Sequence, residues 1–195
     1  MPDRLSLVLA STSPYRSELL ARLGLPFETA RPDVDEAPLI GETPIQTASR
    51  LAEAKAQAVV PRFPAALVIG SDQVACCGDE RFGKPGTRDR AVAQLRTLSG
   101  RSVVFHTGLC LLNTASGKKQ IESVPVEVRF RSLADNDIER YLDRESALDC
   151  AGSARSEGLG IALLDYLRGD DPNALIGLPL IALCRMLRRE GVALP

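Results

Sequence analysis

The chain has 195 residues, a net charge of −1 and a pI near 5.9, with 45% hydrophobic and 25% charged residues. That is enough chain for one substantial domain, or one domain with a small lobe, of ordinary soluble composition. It lacks the basic excess of a nucleic-acid binder and any apolar run near the roughly 20 residues that span a bilayer. The N-terminus shows no basic region followed by a long apolar stretch, so export is not expected and the cytoplasm is the expected location. Cys76, Cys77, Cys110, Cys150 and Cys184 are odd in number and form no C-x-x-C pair, which reads as free thiols in a reducing compartment. With His106 as the only histidine, a zinc site or a histidine-activated nucleophile has little to stand on. Catalysis should rest on carboxylates, cations and a hard metal.

In chain order, Leu5 to Ala10 reads as a short buried strand running into Ser11-Thr12-Ser13-Pro14 and a helix to about Leu23. Ser13 suits the N-cap, Pro14 the first turn and Gly24 the C-terminal stop. Phe27 to Ala30 reads as a second strand, followed by a polar loop with Asp33, Asp35 and Glu36. Thr43 and Gln46 have capping-box spacing at the start of another helix. Its apolar stripe includes Ala48, Ala52 and Val59, and Lys55 falls on that same stripe, an odd place for a solvated lysine. Ala65 to Ile69 is an uninterrupted apolar run, as in a strand covered on both faces, and is expected to end in a Gly70-Ser71-Asp72-Gln73 turn. Gly83-Lys84-Pro85-Gly86-Thr87 forms a loop into a helix ending at Leu98. Strands follow at Val103 to Leu112 and Val124 to Phe130, the second alternating with period two around a turn at Asn113 to Gly117. Ser132 is expected to cap a helix carrying Ile138, Tyr141 and Leu142. Cys150 to Ile161 reads as loop with a short strand, and Leu180 to Glu190 as a final amphipathic helix stopped by Gly191. Strands alternating with helices, interrupted by a hairpin, predict an α/β fold with a mixed sheet.

Three polar clusters fall where segments end, the usual place for ligands in open α/β sheets. Ser11 to Ser13 offer hydroxyls and helix N-terminal amides to an anion, with Arg16 one turn on. Asp72 can bind a metal or accept a proton from water, and Lys84 in a stiff turn suits a phosphate contact. Each has a plain structural reading by itself: a capped helix, a turn aspartate, an exposed loop lysine. Their convergence gives weight, because Arg16, Lys55 and Lys84 supply cations while Glu36 and Asp72 supply carboxylates. No Walker or dinucleotide-binding glycine pattern is present. Residues alone therefore lead to a phosphate site and no further.

At these positions the sequence resembles the Maf family of nucleoside triphosphate pyrophosphatases. The carrying segments are Leu9 through Arg16, Val34-Asp35-Glu36, Ala52 through Ala56, Gly70-Ser71-Asp72-Gln73 and Gly83-Lys84-Pro85. It continues through Cys150 to Ser153, Ser156 to Ile161 and Gly177-Leu178-Pro179. The resemblance implies a single Maf-like domain over residues 1–195 of Maf/ITPase-like fold, with a long mixed β-sheet and two lobes around a central cleft. It also implies Mg²⁺ or Mn²⁺ dependence and a homodimer. Asp72 matches the catalytic acid–base position, with Glu36 and Asp72 holding the metal. Ser11, Arg16, Lys55 and Lys84 match the phosphate-contacting positions.

Within the family the chain is similar to the branch acting on 7-methyl-GTP, with Tyr15, Gln73 and Glu157 at its specificity positions. N7-methylation makes guanine cationic, so an aromatic face and a carboxylate are fitting partners. Without the family, Tyr15 reads as a core aromatic and Glu157 as a surface charge. Ala154-Arg155 replaces an aromatic-basic pair common in that branch, and Gly86 replaces a more usual apolar residue after Lys84-Pro85. The alternatives are a pyrophosphatase for dTTP, UTP or another modified nucleotide, and a non-catalytic nucleotide-binding regulator of cell division.

Overall fold

The two apolar runs of the N-terminal half become neighbouring strands, since a strand covered on both faces needs no polar residue on either. In a computed structural model, which describes residues 5–195, β1 (Ser6–Leu9) is flanked by the two-residue β2 (Glu28–Thr29) and by β3 (Ala66–Cys77), both in parallel. The pairing sets Val8 opposite Val68 and Leu9 opposite Ile69. β4 (Glu80–Phe82) folds back antiparallel on β3. The long strands β5 (Ser102–Asn113) and β6 (Lys119–Phe130), then β7 (Leu164–Arg168) antiparallel to β6, complete the sheet. Among the described residues this is a seven-stranded mixed sheet of order β2-β1-β3-β5-β6-β7, with β4 on β3. The reading on export draws partly on residues 1–4, which lie outside the described residues.

Among the described residues five α-helices accompany the strands: α1 (Pro14–Ala21), α2 (Pro44–Ala58), α3 (Arg88–Leu98), α4 (Asp135–Arg144) and α5 (Leu180–Arg189). The expected caps hold on α1 and α2. Ser13 Oγ accepts the Arg16 N–H, and Thr43 and Gln46 close a reciprocal capping box. On α4 the expectation fails, because the helix begins after Ala134 and not at Ser132. Asp137 supplies the acceptor instead, taking the Ala134 N–H at 3.2 Å, and Asp135 and Asp137 place negative charge on the helix N-terminus. Between Cys150 and Ile161 the chain forms 3₁₀ turns at Ala151–Ser153 and Leu159–Leu163, and β7 starts only at Leu164. Among the described residues no helix is long and apolar enough to cross a membrane.

The chain divides into two compact units. The first comprises the residues up to Asp72, Thr107–Val124 and Asp171–Pro195; the second comprises Gln73–His106 and Pro125–Asp170. β3, β5 and β6 each begin in one unit and end in the other. One core cluster of the first unit is made of small apolar residues: Val8, Val68 and Cys110 from the sheet, and Ala10 just past β1, pack with Ala52 and Ala56 of α2. In the second, α3 packs on α4 and on the 3₁₀ turn at Ala151–Ser153.

Candidate active site

The site grows from the close approach of α2 to the sheet. Thr47, Ala48, Leu51, Ala52, Lys55 and Ala56 form the buried face of α2, the spacing of a single helical stripe. Two glycines let this face come down to backbone contact. A Cβ on Gly70 would lie 2.0 Å from the Ala52 carbonyl oxygen, and one on Gly108 2.2 Å from that of Ala48. Gly70 is therefore not the start of a turn. β3 runs on through Asp72 to Cys77, so the expected turn at Gly70–Gln73 is corrected to the middle of a strand. Gly70 serves close packing, which a strand glycine commonly does.

That approach delivers Lys55 to Asp72. Lys55, 5% exposed, donates from Nζ to Asp72 Oδ1 at 2.6 Å and also lies 2.6 Å from Glu36 Oε1. The oddly placed lysine is thus a cation bridging two carboxylates from different segments. Glu36 itself is exposed, on a loop held by Arg50, whose Nη2 donates to the Ala37 carbonyl at 3.0 Å. Arg50 forks onto Glu42, and that pairing holds the Glu42 carboxyl down at about 2.

Ser71 and Gly177 fix the neighbouring cation. Ser71, fully buried, donates one hydroxyl shared between the Gly108 carbonyl at 2.9 Å and the Gly177 carbonyl at 2.8 Å. The same Gly177 oxygen accepts from Arg16 Nε at 2.8 Å. Gly177 has φ +116°, a backbone conformation that favours glycine, and a Cβ there would press on Arg16 Nε at 3.3 Å. Ser11 is buried at the entry to α1, its Oγ accepting the Ser13 N–H at 3.1 Å.

Burial dominates the electrostatics. It pushes the Asp72 carboxyl above the ordinary carboxylate value, against the opposing pull of Lys55 and Arg16. Burial likewise draws Arg16 down, opposed by Asp72 and Glu36, but a guanidinium keeps its proton in any protein site. Asp72 is thus a carboxylate with raised basicity in a cationic surround, the combination expected of a general base. Among the described residues no group of three or more His, Cys, Asp or Glu converges as a ready-made metal cage. Glu36 and Asp72 share Lys55 between them. Two carboxylates of this kind still fit Mg²⁺, which is commonly held by one or two carboxylates together with substrate phosphates and water.

The structure therefore joins Arg16, Glu36, Lys55 and Asp72 in one charged cluster, all in the first unit. Tyr15, half-buried on α1, belongs to the same unit. Gln73, Lys84 and Glu157 belong to the second unit. Gln73 is the next residue of β3 after Asp72 and is half-buried. Lys84 is exposed in a loop that Gln94 holds through the Gly83 carbonyl at 3.1 Å and Leu148 through the Gly86 N–H at 2.9 Å. Glu157 accepts from Arg155 Nε at 3.1 Å.

Residues 6–190 match the family of Maf-like proteins. The chain belongs to the Maf-like family. A 7-methyl-GTP pyrophosphatase from Aromatoleum aromaticum is 61% identical over 189 residues, covering 97% of each chain. Proteins of the same name from Nitrosococcus oceani and a Polaromonas species are each 58% identical, covering 95% and 99% of this chain and 94% and 88% of their own. Against these Maf-like relatives the resemblance noted in the sequence holds over nearly the full length. It left Ser71 without a role, although Ser71 lies inside one of the matched segments. Neither Ser71 nor Gly177 carries a periodic or charged signal. Their part in placing Arg16 depends on strand and loop neighbours 37 and 106 residues from Ser71 along the chain.

Proposed function

We propose that the chain is a nucleoside triphosphate pyrophosphatase that hydrolyses 7-methyl-GTP to 7-methyl-GMP and diphosphate. The observation that carries this reading is Asp72, a buried carboxylate of raised basicity paired with Lys55 beside Arg16, in a chain 61% identical to a 7-methyl-GTP pyrophosphatase. Asp72 accepts a proton from water as the water oxygen bonds to the α-phosphorus. The bond from that phosphorus to the α–β bridging oxygen breaks, and diphosphate leaves. Arg16, Lys55 and Lys84 offset the charge that develops on the phosphates, and Ser11 donates to a phosphate oxygen. A divalent cation, Mg²⁺ or Mn²⁺, held by Glu36 and Asp72 with the substrate phosphates, would add charge neutralisation there.

Tyr15, Gln73 and Glu157 are assigned to the base. A methylated guanine carries a positive charge, which an aromatic face attracts and a carboxylate complements. All 195 residues are taken to work as one Maf-like domain, in the cytoplasm, on a small nucleotide and without nucleic acid or membrane, and two copies to form a homodimer. Diphosphate release from 7-methyl-GTP, GTP, dTTP and UTP, with Mg²⁺ or Mn²⁺, tests the reading in wild type and Asp72→Asn. Preference for 7-methyl-GTP, falling by about 10² to 10⁴-fold in the variant, is the expected result. Preference for dTTP or UTP overturns the assignment to the base, and tight binding without turnover overturns the catalytic role.

A further inference from the structure

The loop carrying Arg155 and Glu157 is tied at both ends to one turn of α4. Tyr141 Oη accepts the Arg155 backbone N–H at 3.0 Å. Four residues on, at the C-cap of α4, the Glu145 carboxylate accepts the Leu159 backbone N–H through Oε2 at 2.6 Å. Its other oxygen, Oε1, accepts from Arg155 Nη1 at 3.2 Å, and the Glu145 side chain is 14% exposed. Arg155 passes the contact on, donating from Nε to Glu157 Oε1 at 3.1 Å. Gly158 makes room for this carboxylate, since a Cβ there would lie 2.3 Å from Glu145 Oε2. Burial lifts the Tyr141 hydroxyl to about 12, which keeps it neutral beside these charges.

Hydrogen bonds to an ionised carboxylate are the stronger class, and a bonded pair of them fixes direction as well as distance. Arg155 is shared by two carboxylates, so the Glu145–Arg155–Glu157 triad carries one net negative charge. With Glu157 as its sole partner, Arg155 would cancel that charge. We infer that Glu145 is a positioning residue for substrate selection: through Arg155 and Leu159 it sets the place of Glu157 and keeps its surroundings negative toward a cationic base. The inference rests on the proposed role of Glu157.

The test measures kcat/KM for 7-methyl-GTP and for GTP in wild type, Glu145→Ala, Glu145→Gln, Glu157→Gln and the Glu145→Ala/Glu157→Gln double variant. Hydrogen exchange of residues 155–160 is followed alongside. Loss of charged hydrogen bonds of this kind predicts a drop of about tenfold or more in the 7-methyl-GTP to GTP ratio for Glu145→Ala. The change should lie mainly in KM for 7-methyl-GTP, leave GTP turnover intact, and add nothing to Glu157→Gln. Exchange should rise over 155–160. Glu145→Gln, isosteric and retaining one acceptor oxygen, should fold and show a smaller drop in the same direction. Equal losses on both substrates, or additive losses in the double variant, overturn the positioning role while leaving Glu157 in place. An unchanged ratio in Glu157→Gln instead removes the base-reading role of Glu157, and this inference with it.

Discussion

Asp72 is held by two opposed effects, and their balance is measurable at the residue itself. Burial raises its pKa, while the Lys55 ammonium at 2.6 Å and Arg16 favour the ionised form. Because the proposed base works as the carboxylate, kcat/KM should climb with pH through an apparent pKa above the usual value of about 4 and then level off. Lys55→Met removes the larger stabiliser of the charge, so this acidic limb should move to higher pH, with activity at a fixed pH of 6 falling by about tenfold or more. A pH profile of kcat/KM for both proteins decides it; a limb that stays in place, or moves to lower pH, removes Lys55 from the control of Asp72. The sequence made Lys55 conspicuous by helical spacing alone. It offered no comparable sign for Ser71, whose partners are carbonyls of remote segments, or for Glu145, whose partners are the Leu159 amide and the Arg155 guanidinium.

Among the elements, α2 and β3 show how far local pattern reaches. The capping box at Thr43, the proline in the first turn and the apolar stripe are all local, and α2 appears where they place it. β3 is longer than its apolar run because polar residues in mid-strand are decided by what packs on them. Gly70 faces the Ala52 backbone, Ser71 bonds two carbonyls and Asp72 meets Lys55. Gly70→Ala would press its Cβ into backbone that cannot rotate away, 2.0 Å from the Ala52 oxygen. It should destabilise the protein by about 1–3 kcal/mol or more, measured by urea unfolding. By shifting α2 it should also cut activity in the folded fraction, since Lys55 rides on that helix. Unchanged stability would mean that α2 does not dock as closely as the two glycines indicate. α4 carries the converse lesson, for Ser132 has the chemistry of a cap but Asp137 is the residue that reaches the helix's leading N–H.

For the molecule as a whole, the five cysteines are free, and burial lifts the Cys110 and Cys150 thiols to about 12. Stability then owes nothing to cross-links, and it should come from apolar packing with hydrogen-bonded polar groups. Urea unfolding of protein purified without reductant, run with and without one, should give the same midpoint. A midpoint lowered by reductant would reveal a covalent tie. Composition, strand and helix pattern, caps and the ordered family segments were all decided by neighbours a few residues apart, and the sequence by itself therefore determined the α/β class, most elements and the family. What only the tertiary structure decided is which charges meet. Glu36, Lys55 and Asp72 come together because two glycines admit a helix to a sheet, and Arg16 is aimed by a carbonyl 161 residues away. Electrostatic and hydrogen-bond energies depend on distance in space, and spacing along the chain does not report it.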